Sequence, residues 1–163
     1  VKRALTIGDF DSSKTTTSGA IIRYTSEKND TDTMLCVKHG LQQGYDDFLI
    51  VGGFGGRLDH TLANLQMLNY IAVHGAHAEM CDERNTVTVV RNGSVLIKRR
   101  EGKLSVFAMD ACCKGVNIFG TKYIVTDGEL SNHFPLGVSN EFDAEAADIS
   151  VAEGTLLIVV ACE

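Results

Sequence analysis

"FLIVGGFGGRLDHTLANLQMLNYIAVHG", residues 48–75, decides how the first half of this chain is read. Phe48–Val51 is a continuous apolar run ending in glycine, the pattern of a strand buried on both faces. From Leu58 the period becomes helical: Leu58, Leu62, Leu65, Leu68 and Ala72 fall on one stripe, and Gly75 stands where a C-terminal cap belongs. Between strand and helix lie Gly52, Gly53, Gly55, Gly56 and Arg57. Such glycines let backbone approach a ligand, the helix start offers free N–H groups, and an arginine supplies a fork for phosphate oxygens. The turn is neither a Walker loop nor a dinucleotide fingerprint, because it lacks G-K-[ST] and the G-x-G-x-x-G spacing. A plainer reading is a tight turn whose helix is capped by Asp59.

Upstream, "ALTI" (4–7) and "AIIRYT" (20–25) read as short strands, and "TDTMLCVKHGLQQG" (31–44) as a helix ending at Gly44. "AHAEMC" (76–81) returns to the sheet. This alternation predicts a parallel sheet with covering helices. Two acidic pairs fall where the first two strands end: Asp9 and Asp11 in "IGDFDSSKT" (7–15), and Asp30 and Asp32 in "SEKNDTDTML" (26–35). Carboxylates one residue apart on an extended backbone share a side and can hold one hard cation at the rim where open α/β sheets bind ligands. Taken singly, each pair also fits a surface turn or a helix cap. His60 reads as a packing residue, and the H-x-x-H spacing of His74 and His77 straddles a glycine, a weak metal signal.

After about residue 84 the period shortens. "NTVTVVRNG", "SVLIKRREG", "KLSVFAM", "GVNIFG", "TKYIVT", "AADISVAEG" and "TLLIVVA" alternate or are β-branched, with turn pairs at Asn92-Gly93 and Glu101-Gly102. The expected organisation is an α/β domain with a parallel sheet over residues 1–83, joined through the polar "CDERN" to an all-β, sandwich-like domain over 84–163.

Composition narrows the partners. The 163 residues carry 21 acidic and 15 basic side chains, a formal charge of -6, and no basic run longer than "KRR" at 98–100, which argues against a nucleic-acid partner. Five cysteines, an odd number without a C-x-x-C pair, suit reduced thiols in a cytoplasm. No apolar stretch is long enough to span a bilayer, and the first residues carry no signal-peptide core, so neither a membrane nor secretion is expected. Carboxylates, a glycine-rich anion loop and an arginine together are what phosphoryl or pyrophosphoryl transfer requires, with magnesium neutralising the polyphosphate.

"GDFDS" (8–12), "EKNDTDT" (27–33), "GGRLDHTLAN" (55–64) and "PLGVSNEF" (135–142), in this order, resemble the bacterial thiamine pyrophosphokinase family. The resemblance implies an α/β catalytic domain, a β-sandwich thiamine domain, and a homodimer with thiamine held between the two kinds of domain from different subunits. It implies magnesium and ATP phosphates at Asp9, Asp11 and Asp32, with Thr31, Gly56, Arg57 and Asp59 at the nucleotide and Ser139 and Asn140 facing thiamine. Asp59 joins the three other aspartates in the implied catalytic set. The implied reaction converts ATP and thiamine to AMP and thiamine diphosphate. The chain departs from the family at Asn29, where an aspartate is usual, with an acid displaced to Asp30. It also begins almost on the first catalytic strand, so the family's earlier strand, helix and glycine-rich segment are expected to be missing. Two other readings compete: a thiamine-binding or regulatory module without turnover, and a haloacid-dehalogenase-like phosphatase with Asp9 as nucleophile, which Ser13 at the fifth position of D-x-D-x-[TV] disfavours.

Overall fold

The computed structural model describes residues 5–8, 20–23 and 30–162. The chain forms two compact units, residues 1–45 and 46–163.

In the first unit, β1 (Leu5–Gly8) and β2 (Ala20–Arg23) pair in parallel, Leu5 opposite Ala20 and Ile7 opposite Ile22. α1 (Asp32–Gln42) starts because Thr31 is extended and its side chain accepts the Met34 N–H, leaving Asp32 in the positive first turn. Leu35 and Val37 are its buried residues, and Gly44, at φ 83°, ends it with a left-handed residue as its position suggested.

The second unit opens with β3 (Asp47–Val51), α2 (Leu58–Val73) and β4 (His77–Cys81), with β3 and β4 parallel. α2 buries Met67, Leu68, Ile71 and Ala72 on the side of the sheet that carries Ala78, Met80, Val87 and Val89. The expected stripe is therefore only half right: Leu68 and Ala72 are buried, whereas Leu58 and Leu62 are 72% and 54% exposed. A helix of this length runs about 24 Å against a five-residue strand of about 17 Å, so its first turns extend past the strand it covers. Nor is β3 buried on both faces; it ends the strand path, with Leu49 68% and Val51 73% exposed. A run of apolar residues fixes a strand's hydropathy but not whether anything lies on each side.

The remaining strands are β5 (Asn85–Lys98), β6 (Lys103–Ala108), β7 (Cys113–Phe119), β8 (Val125–Leu130), β9 (Gly137–Asn140) and β10 (Ala146–Ala161). One hydrogen-bonded sheet runs β3-β4-β5-β10-β6-β9, with β7 on β10 and β8 on β7. The antiparallel pairing of β4 with β5 splices the α/β segment directly to the β-rich segment. Asp82 tightens that turn by accepting the backbone N–H groups of Arg84 and Asn85.

Asn92-Gly93 is not a hairpin turn. β5 passes through it unbroken, and opposite it the register of β10 shifts between Val151 and Thr155. Asn92 is left-handed at φ 45° and its side-chain oxygen accepts the Gly154 N–H at 2.8 Å, so two turn-like dipeptides make one coordinated bend in a long strand pair. Bending lets β10 meet β7 with its first half and β6 with its second. Leu104, Val116, Ile118, Ile149, Leu156 and Ile158, drawn from both wings, pack into one core. No described helix is long and apolar enough to cross a membrane.

Candidate functional site

The glycine loop after β3 is built from left-handed backbone: Gly52, Gly55 and Gly56 have φ values of 78°, 85° and 65°, which side-chain-bearing residues rarely adopt. Asn64, in the second turn of α2, donates from Nδ2 to the Gly53 carbonyl at 2.8 Å and ties the loop back to the helix. Arg57 is the N-cap residue but makes no side-chain cap, so the expectation that Asp59 caps α2 is corrected. Asp59 lies in the first turn, where its carboxylate accepts the His60 N–H at 3.0 Å and both Nε (3.1 Å) and Nη2 of Arg57. The Arg57 bond, reinforced by that backbone bond, holds the Asp59 carboxyl below the usual carboxylate range, and the same pairing raises Arg57. Both side chains are largely exposed, at 74% and 60%. The arrangement is a helix start whose own acid already pairs with its arginine.

At the start of α1, the Thr31 hydroxyl is used by its own helix, accepting from Met34 at 3.2 Å. Asp32 is exposed in the first turn. Asp30 accepts Lys38 Nζ at 2.9 and 2.7 Å, so the displaced acid of this motif is engaged along the helix. Asp9, Asp11 and Asn29 lie outside the described residues. Among the described residues no three His, Cys, Asp or Glu side chains are grouped to hold a metal ion. Asp32, in the first turn of α1, offers carboxylate oxygen, the donor type a hard divalent cation takes.

Ser139 and Asn140 end β9, at the far end of the strand path from the glycine loop. Ser139 is exposed and left-handed at φ 61°, and its N–H donates to Ser105 Oγ at 3.0 Å. Asn140 is 7% exposed and turns its carboxamide inward onto Thr121, Tyr123 and Glu141. Around this corner lie exposed apolar residues that periodicity did not single out: Tyr123, Ile124, Phe134 and Leu136, each 61–63% exposed. Phe134 and Leu136 edge a cavity of about 270 Å³ together with Val106, Leu130 and His133. Pro135, the chain's sole proline, inside an apolar run was the local signal for that wall. Tyr123 had none, because a bridge between Thr121 and Phe142, 21 residues apart, brings it there.

Comparison with known proteins gives this corner and the glycine loop a common setting. The family model described as "Thiamin pyrophosphokinase, catalytic domain" matches residues 1–80, and that described as "Thiamin pyrophosphokinase, vitamin B1 binding domain" matches residues 94–156. The chain belongs to the thiamin pyrophosphokinase family. A thiamine pyrophosphokinase of Bacillus subtilis (strain 168) is 27% identical over 138 residues, covering 83% of this chain and 64% of the relative; the chain thus spans less than two thirds of that protein. Among solved structures, the Bacillus subtilis thiamine pyrophosphokinase superposes with a TM-score of 0.87 at 24% identity, covering 98% of this chain and 79% of that one. A thiamin pyrophosphokinase family protein from Enterococcus faecalis gives 0.82 at 26% identity, with coverage of 98% and 80%. The thiamin pyrophosphokinase of Candida albicans gives 0.75 at 14% identity, with coverage of 98% and 73%, a likeness of fold. In the thiamin pyrophosphokinase family match, Thr31, Asp32, Gly56, Arg57 and Asp59 fall in the catalytic segment and Ser139 and Asn140 in the vitamin-binding segment.

Proposed function

We propose that this protein is a magnesium-dependent thiamine pyrophosphokinase that converts ATP and thiamine to AMP and thiamine diphosphate. The observation that carries the reading is the ordered match of catalytic and vitamin B1 binding segments on one chain. The left-handed glycine loop leading into Arg57 supports it, because that backbone and guanidinium suit polyphosphate oxygens.

In this reading, exposed N–H groups at the start of α2 receive phosphate oxygens, and Arg57 exchanges the Asp59 carboxylate for phosphate. Asp9, Asp11 and Asp32 would hold magnesium, which supplies neutralisation of the polyphosphate charge. The Ser139 hydroxyl orients thiamine so that its hydroxyethyl oxygen meets the β-phosphorus; a new O–P bond forms there as the bond to the α-phosphate oxygen breaks, the hydroxyl proton passes to solvent and AMP leaves. Asp59, released from Arg57, is a carboxylate close to the transferring group and contributes to the catalytic set.

A homodimer in the cytoplasm belongs to the proposal. The glycine loop follows β3 and Ser139 lies on β9, at opposite ends of the strand order, which supports a site assembled from two copies. The functional division is residues 1–83 for ATP and magnesium and 84–163 for thiamine.

A second reading, a thiamine-binding homologue without turnover, is favoured by one observation: the acid displaced from position 29 is engaged by Lys38. Release of AMP from ATP, measured with and without thiamine and with and without magnesium, separates them. Release that needs both is expected; thiamine binding without any release would leave the binding module.

A further inference from the structure

We infer that Asn140 serves thiamine recognition as a positioning residue, its carboxamide clamping the backbone of residues 121–123 beside Ser139 instead of touching the substrate. The inference rests on the thiamine-binding part of the proposed function and assigns a different job to one of its residues.

The carboxamide has two donors and an oxygen with two lone pairs. All four are used within the chain. Oδ1 accepts the N–H groups of Tyr123 (3.0 Å) and Glu141 (2.9 Å), and Nδ2 donates to Thr121 Oγ1 (3.1 Å) and to the Tyr123 carbonyl (2.7 Å). Asn140 is buried, so water does not offer substitutes and breaking any of these bonds is costly. A substrate atom would find no unused donor or acceptor on it.

What the clamp holds is a segment that no strand holds. Tyr123 lies between β7 and β8, yet both its backbone N–H and its carbonyl are captured by this one side chain, and Thr121 Oγ1 adds a second bond to the same carbonyl at 3.1 Å. Thr121 bridges Phe142, and the Lys122 N–H donates to the Glu141 carbonyl at 2.9 Å. Residues 121–123 therefore run antiparallel to 140–142, with Tyr123 across from Asn140. The backbone that carries Tyr123 and leads to Ile124, whose side chains are 61% and 63% exposed, is thus fixed alongside the strand end that carries Ser139. Ser139 itself sits at φ 61°, a conformation that persists in a non-glycine residue only where its neighbours over-determine it. Its N–H is held by Ser105 from one side and its successor is locked by the clamp. Among the described residues its hydroxyl has no partner, which leaves it for a ligand, while the Tyr123 ring already has Lys122 Nζ 5.6 Å from its centroid.

The test separates holding from touching. Thiamine binding is measured by calorimetry, and KM for thiamine and for ATP by AMP release, for wild type, Asn140→Ala, Thr121→Val and the double variant. Thr121 is 2% exposed and cannot meet substrate, but Thr121→Val removes one acceptor of the clamp while keeping its size, and it remains readable if Asn140→Ala does not fold. The expected result is thiamine affinity weakened about tenfold in Asn140→Ala and by a smaller factor in Thr121→Val, as for loss of buried hydrogen bonds. The double variant should fall short of the product of the two, with KM for ATP unchanged. A purely structural role would lower the folded fraction without splitting the two substrates. Thr121→Val binding thiamine as wild type does, while Asn140→Ala does not, would make Asn140 a direct ligand and overturn the inference. So would a wild-type protein that fails to bind thiamine. Wild type that binds thiamine but releases no AMP would remove the proposed activity and leave the clamp standing.

Discussion

Arg57 binds Asp59, two residues along the same chain, through both Nε and Nη2, so the cation of the glycine loop is occupied by the first acid of its own helix. In the proposed function an incoming phosphate competes with that carboxylate, and the exposure of both groups makes the exchange easy. Arg57→Ala should raise KM for ATP by about tenfold, the scale of one lost charge-assisted bidentate contact, and leave KM for thiamine unchanged. Arg57→Lys should recover little of it, because an ammonium lacks the planar fork. Steady-state kinetics with each substrate varied in turn checks this.

The same pairing has a pH signature. Asp59 is held low by Arg57 and Glu141 by Lys103, then Lys122. A carboxyl depressed in the folded state adds stability above its ordinary range and loses it as pH falls through the lower folded value. Carbon-detected NMR titration should find both groups ionised after other surface carboxylates have protonated. Arg57→Ala should return Asp59, and Lys103→Ala should return Glu141, towards the ordinary range.

Gly53 is required by space, not by φ. A Cβ there would collide with Sδ of Met80, which is fully buried. Gly53→Ala should cost about 1–3 kcal/mol by overpacking. The added methyl and the methionine compete for one volume, so Gly53→Ala with Met80→Ala should cost less than the sum of the single changes. Denaturant unfolding of the four proteins measures it.

Asp30 is bound by Lys38, which predicts different outcomes at two adjacent positions. Asn29→Asp should lower the magnesium concentration needed for half-maximal AMP release, by adding a carboxylate where the family carries one. Asp30→Asn should leave that magnesium dependence unchanged and cost at most about 1 kcal/mol, as for other partly exposed ion pairs. A magnesium titration of each variant gives the answer.

The strand, glycine loop and helix of residues 47–73 were legible because each leaves a local mark: hydropathy, left-handed glycine, period. What covers them was not local. Leu58, Leu62, Leu49 and Val51 look like core residues in sequence and are exposed, because burial depends on which neighbour an element meets. Asn92-Gly93 carries the composition of a hairpin turn, yet its partner across the ladder is Gly154, 61 residues beyond Gly93, and a pairing at that distance leaves no trace in either dipeptide. Ser139 and Asn140 are marked by resemblance, and nothing local in sequence shows that the Asn140 carboxamide spends its donors and acceptors on Thr121 and Tyr123, 17 to 19 residues away.

β10 touches β5 along most of its length, β7 with its first half and β6 with its second. The central strand of the β-rich unit therefore comes later in the chain than every strand it joins. Until residues 146–161 emerge, β6 with β9 and β7 with β8 are isolated two-stranded pairs, which water does not sustain. Their apolar faces wait uncovered during translation, so the nascent β-rich half is a natural client for chaperones.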